Sequence, residues 1–365
     1  MKAMPENKKL TSFQMFTFLS GIIIGTGILS LPRVLAEIAG HDLWLSLLLA
    51  GGLVSGSGVV IVLICRRFPE ANVFEISEIL LGRIAGKTII LYYIVFSLAG
   101  AVVVTRVFAD LARTYSFLQT PRALFAALLV LLAAYILRHD LIVLARYSEL
   151  VFYLLFPTLA FYFLEFDQIN FLNFLPIGAA GTGNIVRAVL PSLYSFFGFE
   201  FMVVFHPYLQ QPKSDMKIMG AVIAVVLLSY LLSVFAIIGY FGEIRAISLN
   251  WPVLNYLKNI RLPFFDRVEQ LFLFLWLHSI IITISGTLLV AVQGITHLLR
   301  LRHHKFTLPV VIPLLFAMTF LPANITETYK AVDVVSYASI GGMFIIPILL
   351  YLTAWVRGGK AVAQK

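Results

Sequence analysis

Apolar runs of about 20 residues alternate with short polar loops along the whole chain. Runs of this length predict membrane-spanning helices, because barrel strands show a shorter, alternating pattern. The loops leave no room for a separate soluble unit, so we predict a single transmembrane domain over residues 1–365. The ten predicted spans are 12–39, 43–65, 88–113, 121–138, 143–164, 185–209, 216–241, 267–298, 308–321 and 333–356.

Two of these spans are interrupted by residues that disfavour a continuous helix. The first reads GIIIGTGILSLP from Gly21 to Pro32, and the sixth reads PSLYSFFGFE from Pro191 to Glu200. A break exposed to lipid leaves backbone N–H and C=O groups without partners, at a cost of several kcal/mol each. We therefore expect both breaks to be covered by protein or to line a cavity, as in transporter-type binding sites.

The ten spans divide into two sets of five, approximately 12–164 and 185–356, and each set opens with its broken helix. An odd number of spans per set inverts the second set relative to the first. The pattern therefore predicts an all-α integral membrane fold built as a five-plus-five inverted repeat, with helices 1 and 6 broken.

Composition and charge agree with a membrane protein. The chain is 60% hydrophobic and only 12% charged, whereas soluble domains carry about 25% charged residues. The net charge of +9 follows from the positive-inside rule rather than from nucleic-acid binding. With both termini cytoplasmic, 16 basic residues fall inside and 8 outside. No small-residue cleavage site follows the first span, so we expect it to be retained.

No enzyme motif is present in the sequence. Cys65 is the single cysteine, which excludes an intrachain disulfide and a cysteine-cluster metal site. We find no phosphate-binding loop, zinc signature or nucleophile elbow. We therefore expect neither catalysis nor a cofactor nor a bound metal.

The break in the first span, Gly25-Thr26-Gly27, has two interpretations. Glycines in membrane helices usually mark points where two helices pack closely. The matching break in span 6 favours a binding role instead, because an unwound span 1 points the N–H groups of its second half into the cavity. Such a helix N-terminus favours a carboxylate.

Aromatic and small residues surround the second break. Tyr194 and Phe197 flank it, and Gly198 allows close approach to the backbone. Most aromatic residues in a chain this rich in them are structural. Tyr194 and Phe197, however, flank the break, where aromatic side chains can cover a small amphipathic ligand. On span 3, Tyr93, Phe96 and Ser97 are predicted to wall the same pocket.

Several polar residues within the spans are candidates for gating or coupling. Glu200 either satisfies the broken helix, binds an amine or carries a proton. Arg146 and Glu149 share a helix face, so they form a local pair, or Arg146 projects into the crevice between spans 1 and 8. Thr283 and Thr287 share a face of span 8 that could look at span 1.

Three further charged residues fall near the predicted outer side. Arg106 and Asp110 lie one helical turn apart in span 3 and are interpreted as structural or gating. Glu37 is a candidate for an outer gate network.

Several motifs occur together in this chain: GTGILSLPR at 25–33, ARYSE at 145–149, SFFGFE at 195–200, the stretch from Asp266 to Trp276, and Gln14. In these motifs the chain resembles the B subunits of GerA-type spore germinant receptors, a family similar to amino acid–polyamine–organocation transporters. The resemblance implies the LeuT-like fold of those transporters and a nutrient sensor in the spore inner membrane. It also implies partners: an A subunit, a lipid-anchored C subunit and in some cases a small D subunit.

The resemblance also bears on ion coupling. In related transporters, a lysine in span 5 can replace a sodium ion beside spans 1 and 8, and Arg146 looks like its counterpart. Arginine does not readily release its proton, which favours a receptor over a proton-coupled transporter. A proton-linked or facilitated amino acid transporter remains the alternative. A purely structural scaffold would not need paired helix breaks.

Overall fold

The computed structural model describes residues 9–116, 118–262 and 266–357. The predicted placement of both chain termini in the cytoplasm involves residues outside these ranges. The described residues form fourteen α-helices: α1 Ser12–Ile23, α2 Gly27–Ala39, α3 Leu43–Arg67, α4 Val73–Tyr115, α5 Arg122–Leu137, α6 Leu141–Leu155, α7 Gly181–Tyr194, α8 Met202–Phe205, α9 Asp215–Ser248, α10 Pro252–Leu257, α11 Val268–Leu298, α12 Leu308–Met318, α13 Ile325–Ile340 and α14 Ile346–Val356.

All ten segments predicted to span the membrane are helical. Within the described ranges, six helical stretches are long and apolar enough to cross a membrane. A seventh is obtained when α7 and the helical segment Phe199–Tyr208, bent by 49° relative to each other, are taken as one span. The all-α membrane class is thus confirmed, while the count of ten spans stays a prediction because α1, α5 and α12 are short.

Both predicted breaks are present. The first separates α1, which ends at Ile23, from α2, which begins at Gly27. The second follows Tyr194 at the end of α7, and the chain resumes a helical course at Phe199. Gly198 lies in this second break with φ +116°, a conformation that residues with a side chain rarely adopt.

Two glycine kinks occupy equivalent positions in the two sets of spans. Gly82 (φ +82°) bends α4 ahead of the third span, and Gly242 (φ +70°) bends α9 at the end of the seventh. Each kink falls within the connection between the second and third spans of its set. This agreement fits the inverted repeat, whose boundaries at 12–164 and 185–356 stay a prediction.

The third and eighth spans, α4 and α11, pack against each other in the centre of the fold. Small residues allow this close packing, since a Cβ atom added at Gly294 of α11 would lie 2.7 Å from Ile94 of α4. On its other side α11 packs against α1 and α6. Because α11 belongs to the second set but packs against helices of the first, its side chains are available to the broken helix of the first set.

Candidate functional site

Side chains of α11 supply the hydrogen bonds that the first break removes from the backbone. Between Ile23 and Gly27 the chain leaves the helix, so nearby carbonyl groups lose their partners within it. Three donors replace them: Thr283 Oγ1 to Gly21 O (3.1 Å), Ser279 Oγ to Ile24 O (2.5 Å) and Trp276 Nε1 to Gly25 O (3.1 Å). These three side chains of α11 therefore stabilise the non-helical backbone of the first break.

One tyrosine of α9 links the two breaks. The hydroxyl group of Tyr230 lies 2.7 Å from the carbonyl oxygen of Ser195 in the second break and 3.2 Å from that of Ile23 in the first. Tyr230 is fully buried. The hydroxyl group has one hydrogen to donate, and its shorter contact is to Ser195 O, whereas Ile23 O also accepts the backbone N–H of Gly25 at 2.8 Å. Tyr230 therefore contacts both breaks and is bonded more closely to the second.

Glu200 caps the second break from within. Its carboxylate accepts a hydrogen bond from the backbone N–H of Gly198 at 2.9 Å. The residue is fully buried, and its other oxygen, Oε1, has no hydrogen-bond partner among the described residues. Of the three roles considered from the sequence, satisfying the broken helix is the one this geometry displays.

A cavity of about 70 Å³, here called the break cavity, lies where the two breaks meet span 10. Its wall comprises Thr26, Gly27, Ser30, Leu31, Val34, Val107, Pro191, Tyr194, Ser195, Tyr329, Val332, Asp333 and Ser336. The structure thus brings together three predicted site residues, Thr26, Gly27 and Tyr194.

The contribution of span 10 was not predicted from the sequence. Tyr329, Asp333 and Ser336 are spaced by four and three residues, so they share one face of α13. A polar stripe at this spacing within an apolar segment was the available signal for a functional face.

Other predicted pocket residues, namely Phe197, Phe96, Tyr93 and Ser97, do not line the break cavity. The ring of Phe197 stacks on Tyr194 at 6.3 Å and meets Phe96 edge-on at 4.9 Å. Tyr93 and Ser97 are fully buried, and their hydroxyl oxygens have no hydrogen-bond partner among the described residues. Span 3 reaches the cavity through Val107 instead, because the cavity lies beside the later part of α4.

Two of the predicted glycines are packing positions in this structure. A Cβ atom at Gly25 would lie 3.0 Å from Thr283 Oγ1, and one at Gly198 would lie 2.7 Å from Ile22. The close-packing interpretation thus describes Gly25, whereas Gly27 has only Ser195 within 4 Å of such an atom.

Arg146 does not project into the crevice between spans 1 and 8, which corrects the sequence expectation. Its side chain is exposed, whereas Ser148, two residues on and on the other side of α6, is buried. Ser148 lines a mainly apolar cavity of about 50 Å³ between α1, α6, α9 and α11. No ion pair joins Arg146 to Glu149 among the described residues, and Glu149 instead accepts a hydrogen bond from Gln14 Nε2 at 3.4 Å.

The two threonines of span 8 differ in role. Thr283 faces span 1, as predicted, and donates to Gly21. The hydroxyl group of Thr287 lies within 3.0 Å of the carbonyl oxygens of Thr283 and Ile284 in its own helix. Only Thr283 therefore contacts the broken helix through its hydroxyl group.

Polar contacts close the break cavity at the end we predict to be outer. Arg33 pairs with Glu37 at 2.7 Å and donates to Asn250 at 2.9 Å, and its guanidinium lies 5.5 Å from the ring centroid of Tyr329. Since Tyr329 lines the cavity, Arg33 connects α2 and the chain before α10 to the cavity wall. The expected participation of Glu37 in a network at this end agrees with these contacts.

A second network, buried at Arg106 and Asp110, joins the third span to the hairpin of spans 9 and 10. Arg106 pairs with Asp110 at 3.0 Å, and Arg122 pairs with the same carboxylate at 3.1 Å. Arg106 also donates to the carbonyl oxygen of Thr319 at 3.3 Å. None of these residues lines the break cavity, so the geometry supports the structural interpretation.

Comparison with known sequences gives matches over most of the chain. The family model described as "Spore germination protein" matches residues 9–328. Spore germination protein YndE of Bacillus subtilis (strain 168) is 24% identical over 359 residues, covering 96% of this chain and 98% of that protein. Spore germination protein GerQB of Bacillus cereus is 26% identical over 331 residues, covering 89% of each chain.

Solved structures share the fold at low sequence identity. A Na⁺-coupled sialic acid symporter, in a substrate-bound outward-open state, matches with a TM-score of 0.66 at 11% identity, covering 93% of this chain and 80% of that one. A nucleobase-cation-symport-1 family transporter, closed with bromovinylhydantoin bound, matches with a TM-score of 0.61 at 11% identity, covering 93% and 78%. The LeuT-like fold expected from the sequence is confirmed.

Proposed function

The chain belongs to the spore germination protein family, and from this premise we propose that it is a nutrient-sensing B subunit that binds a small amino-acid-like ligand in the break cavity. The observation that carries the proposal is the pairing, in one cavity wall, of a helix N-terminus with a carboxylate. These two groups complement the carboxylate and the ammonium group of an amino acid.

The helix N-terminus belongs to α2. This helix has 13 residues and begins at Gly27, and Thr26 at its N-cap makes no side-chain cap hydrogen bond to it. The first N–H groups of a helix have no partner within it, and the helix dipole adds a partial positive charge there. A ligand carboxylate is therefore favoured beside Thr26 and Gly27.

The carboxylate belongs to Asp333 of α13. No hydrogen bond or ion pair of Asp333 is present among the described residues, although Tyr194, Ser195 and Ser336 share its cavity. A charged hydrogen bond to a ligand ammonium is stronger than a bond between neutral groups. Asp333 thus takes the amine-binding role that the sequence analysis had considered for Glu200.

The related fold favours a second candidate, a proton-linked or facilitated amino acid transporter. Ligand binding alone does not separate the two functions, because both use the same cavity. A receptor depends on partner subunits, so we further propose that the chain assembles with A and C subunits, and in some systems a D subunit, in the spore inner membrane. A transporter moves its solute without them.

Sodium independence is part of the proposal, and it does not rest on Arg146, the counterpart of the transporter lysine that the resemblance implied. Arg146 is exposed and does not fill a cation position. Instead, Trp276, Ser279 and Thr283 donate hydrogen bonds to carbonyl oxygens of the first break. Oxygens that already accept such bonds do not need a cation to compensate for the missing helix contacts.

The proposal is tested with the purified full-length protein in liposomes, using a panel of radiolabelled amino acids in sodium and in potassium buffers of equal ionic strength. We expect at least one amino acid to bind saturably, with the same dissociation constant in both buffers, and without time-dependent accumulation inside the liposomes. Analogues that lack either the amine or the carboxylate should bind at least about tenfold more weakly.

Three results contradict the proposal in distinct ways. Accumulation of solute inside the liposomes favours the transporter. Loss of amino acid binding in the potassium buffer shows that binding requires a sodium ion, which the hydrogen-bond donors of α11 do not replace. Tight binding of an analogue without an amine removes the role assigned to Asp333.

A further inference from the structure

A second polar cavity opens at the opposite end of the fold, where α11 ends. It has a volume of about 500 Å³ and is here called the basic cavity. Its wall comprises Asn72, Phe74, Glu78, Lys87, Tyr208, Gln293, Thr296, His297, Leu298, Arg300, Leu301, Arg302, His303 and His304. None of these residues lines the break cavity, and the nutrient-binding proposal does not use them.

Positive charge dominates this cavity. Lys87, Arg300 and Arg302 are exposed, and none of them forms an ion pair with a carboxylate of the described residues. Glu78 is the single acidic residue of the wall, and it is engaged by His297 at 3.1 Å. Three cationic side chains thus line the cavity against one carboxylate, that of Glu78.

Two neighbouring groups do not change this balance. Glu75, close to Glu78 on α4, is not part of the cavity wall, and its carboxylate accepts the backbone N–H of Asn72 at 3.1 Å. Burial lowers the pKa of His304, whose ring nitrogen contacts the carbonyl oxygen of Leu137. His304 is therefore neutral at physiological pH, so the charge comes from the lysine and the two arginines.

The backbone holds Arg300 at the cavity in a strained conformation. Its φ of +53° is the only positive value found for a non-glycine residue in the described ranges. The chain closes the end of α11 there, with the N–H of Leu301 bonded to the carbonyl oxygen of Thr296 at 3.0 Å. Glycine is the usual residue at such a helix end, so an arginine indicates a use for its side chain.

Large apolar side chains stand next to the cations in the chain. Ile84 precedes Lys87 by one helical turn, Leu299 adjoins Arg300, and Phe306 follows the histidine pair, with exposed fractions of 86%, 63% and 66%. Cationic side chains interleaved with exposed apolar ones fit the boundary between lipid headgroups and acyl chains. An acidic protein segment or free phosphate would not require exposed apolar side chains beside the cations.

We propose that the basic cavity binds the phosphate-bearing headgroup of an anionic phospholipid, with Lys87, Arg300 and Arg302 as the residues that recognise it. The acyl chains then lie along the apolar side chains of Ile84, Leu299 and Phe306. The proposal is independent of the nutrient site and of its ligand.

The test is native mass spectrometry of the full-length protein in detergent, titrated with phosphatidylglycerol or, separately, phosphatidylcholine. We expect one tightly retained phosphatidylglycerol and no comparable phosphatidylcholine. The double variant Arg300→Gln/Arg302→Gln should weaken phosphatidylglycerol binding by about tenfold or more, because two charges near the headgroup are lost. The charge-preserving variant Arg300→Lys/Arg302→Lys should retain most of the affinity, which shows that the altered loop still folds.

A matched control removes two positive charges elsewhere. Lys213→Gln/Lys217→Gln alters two exposed lysines, one just before α9 and one in its first turn, that do not line the basic cavity, and it should leave lipid binding unchanged. An equal loss in both double variants means diffuse attraction and overturns the proposal. So does displacement of the lipid by equimolar inorganic phosphate, or binding of polyglutamate at this cavity in place of phosphatidylglycerol.

Discussion

Replacing Asp333 with asparagine is expected to weaken binding of the responsive amino acid by about tenfold to a hundredfold. The substitution preserves the shape of the side chain but removes the negative charge that faces the ligand ammonium. A hydrogen bond to a charged group contributes about 1.5–3 kcal/mol, which corresponds to this range of affinity. Equilibrium binding of the radiolabelled amino acid to the purified variant measures the effect.

Asp167→Asn is a suitable control because it removes one exposed carboxylate outside the break cavity. It should bind the amino acid like the original protein. If Asp333→Asn binds as tightly as this control, the amine of the ligand is recognised elsewhere. In that case Glu200, which has one carboxylate oxygen without a partner among the described residues, becomes the next candidate.

Replacing Glu200 with leucine is expected to destabilise the protein by about 1–3 kcal/mol and to abolish ligand binding. The leucine leaves the N–H group of Gly198 buried without its acceptor, and an unsatisfied buried donor carries a penalty of this size. Glu200→Gln retains an oxygen that can accept the same hydrogen bond. It should therefore unfold near the original temperature while shifting the ligand concentration needed for half-saturation.

Thermal unfolding in detergent and ligand binding are measured on both variants, first alone and then with the partner subunits. Tyr230→Phe provides a comparison, because it removes the hydroxyl group that lies between the two breaks. If the leucine and glutamine variants have the unfolding temperature and the ligand affinity of the original protein, Glu200 does not stabilise the second break.

The positions of the helix breaks could be predicted from the sequence because their cause is local. Glycine is permissive at the unusual backbone angle that Gly198 adopts. Runs of apolar residues on both sides of each break mark the continuing span. The polar partners of the first break were only partly foreseen, since Thr283 was expected to face span 1 and Trp276 was noted for its family resemblance alone.

The direction in which the Arg146 side chain points could not be predicted from its three-residue spacing to Glu149. The buried positions Leu144, Ala145, Ser148 and Val151 define the packed face of α6, and this stripe leaves Arg146 on the opposite side. A comparison of the apolar stripe with the charged pair would have resolved the ambiguity. The spacing of two charges alone states only that they share a face.

The role of span 10 depends on packing between distant parts of the chain. Asp333 meets the breaks because α13 packs against α7 and the later part of α4. Sequence patterns identify the polar face of α13 but not the helices that it contacts. For the same reason, the sequence placed Tyr93, Phe96 and Ser97 on the pocket wall, whereas the break cavity meets span 3 at Val107.

The most direct test of the account is an experimental structure of the full-length protein saturated with the amino acid that binds it. The account predicts ligand density in the break cavity, with the carboxylate against the backbone of Thr26 and Gly27 and the ammonium group against Asp333. Density for the ligand at another place, with the break cavity empty, would contradict it.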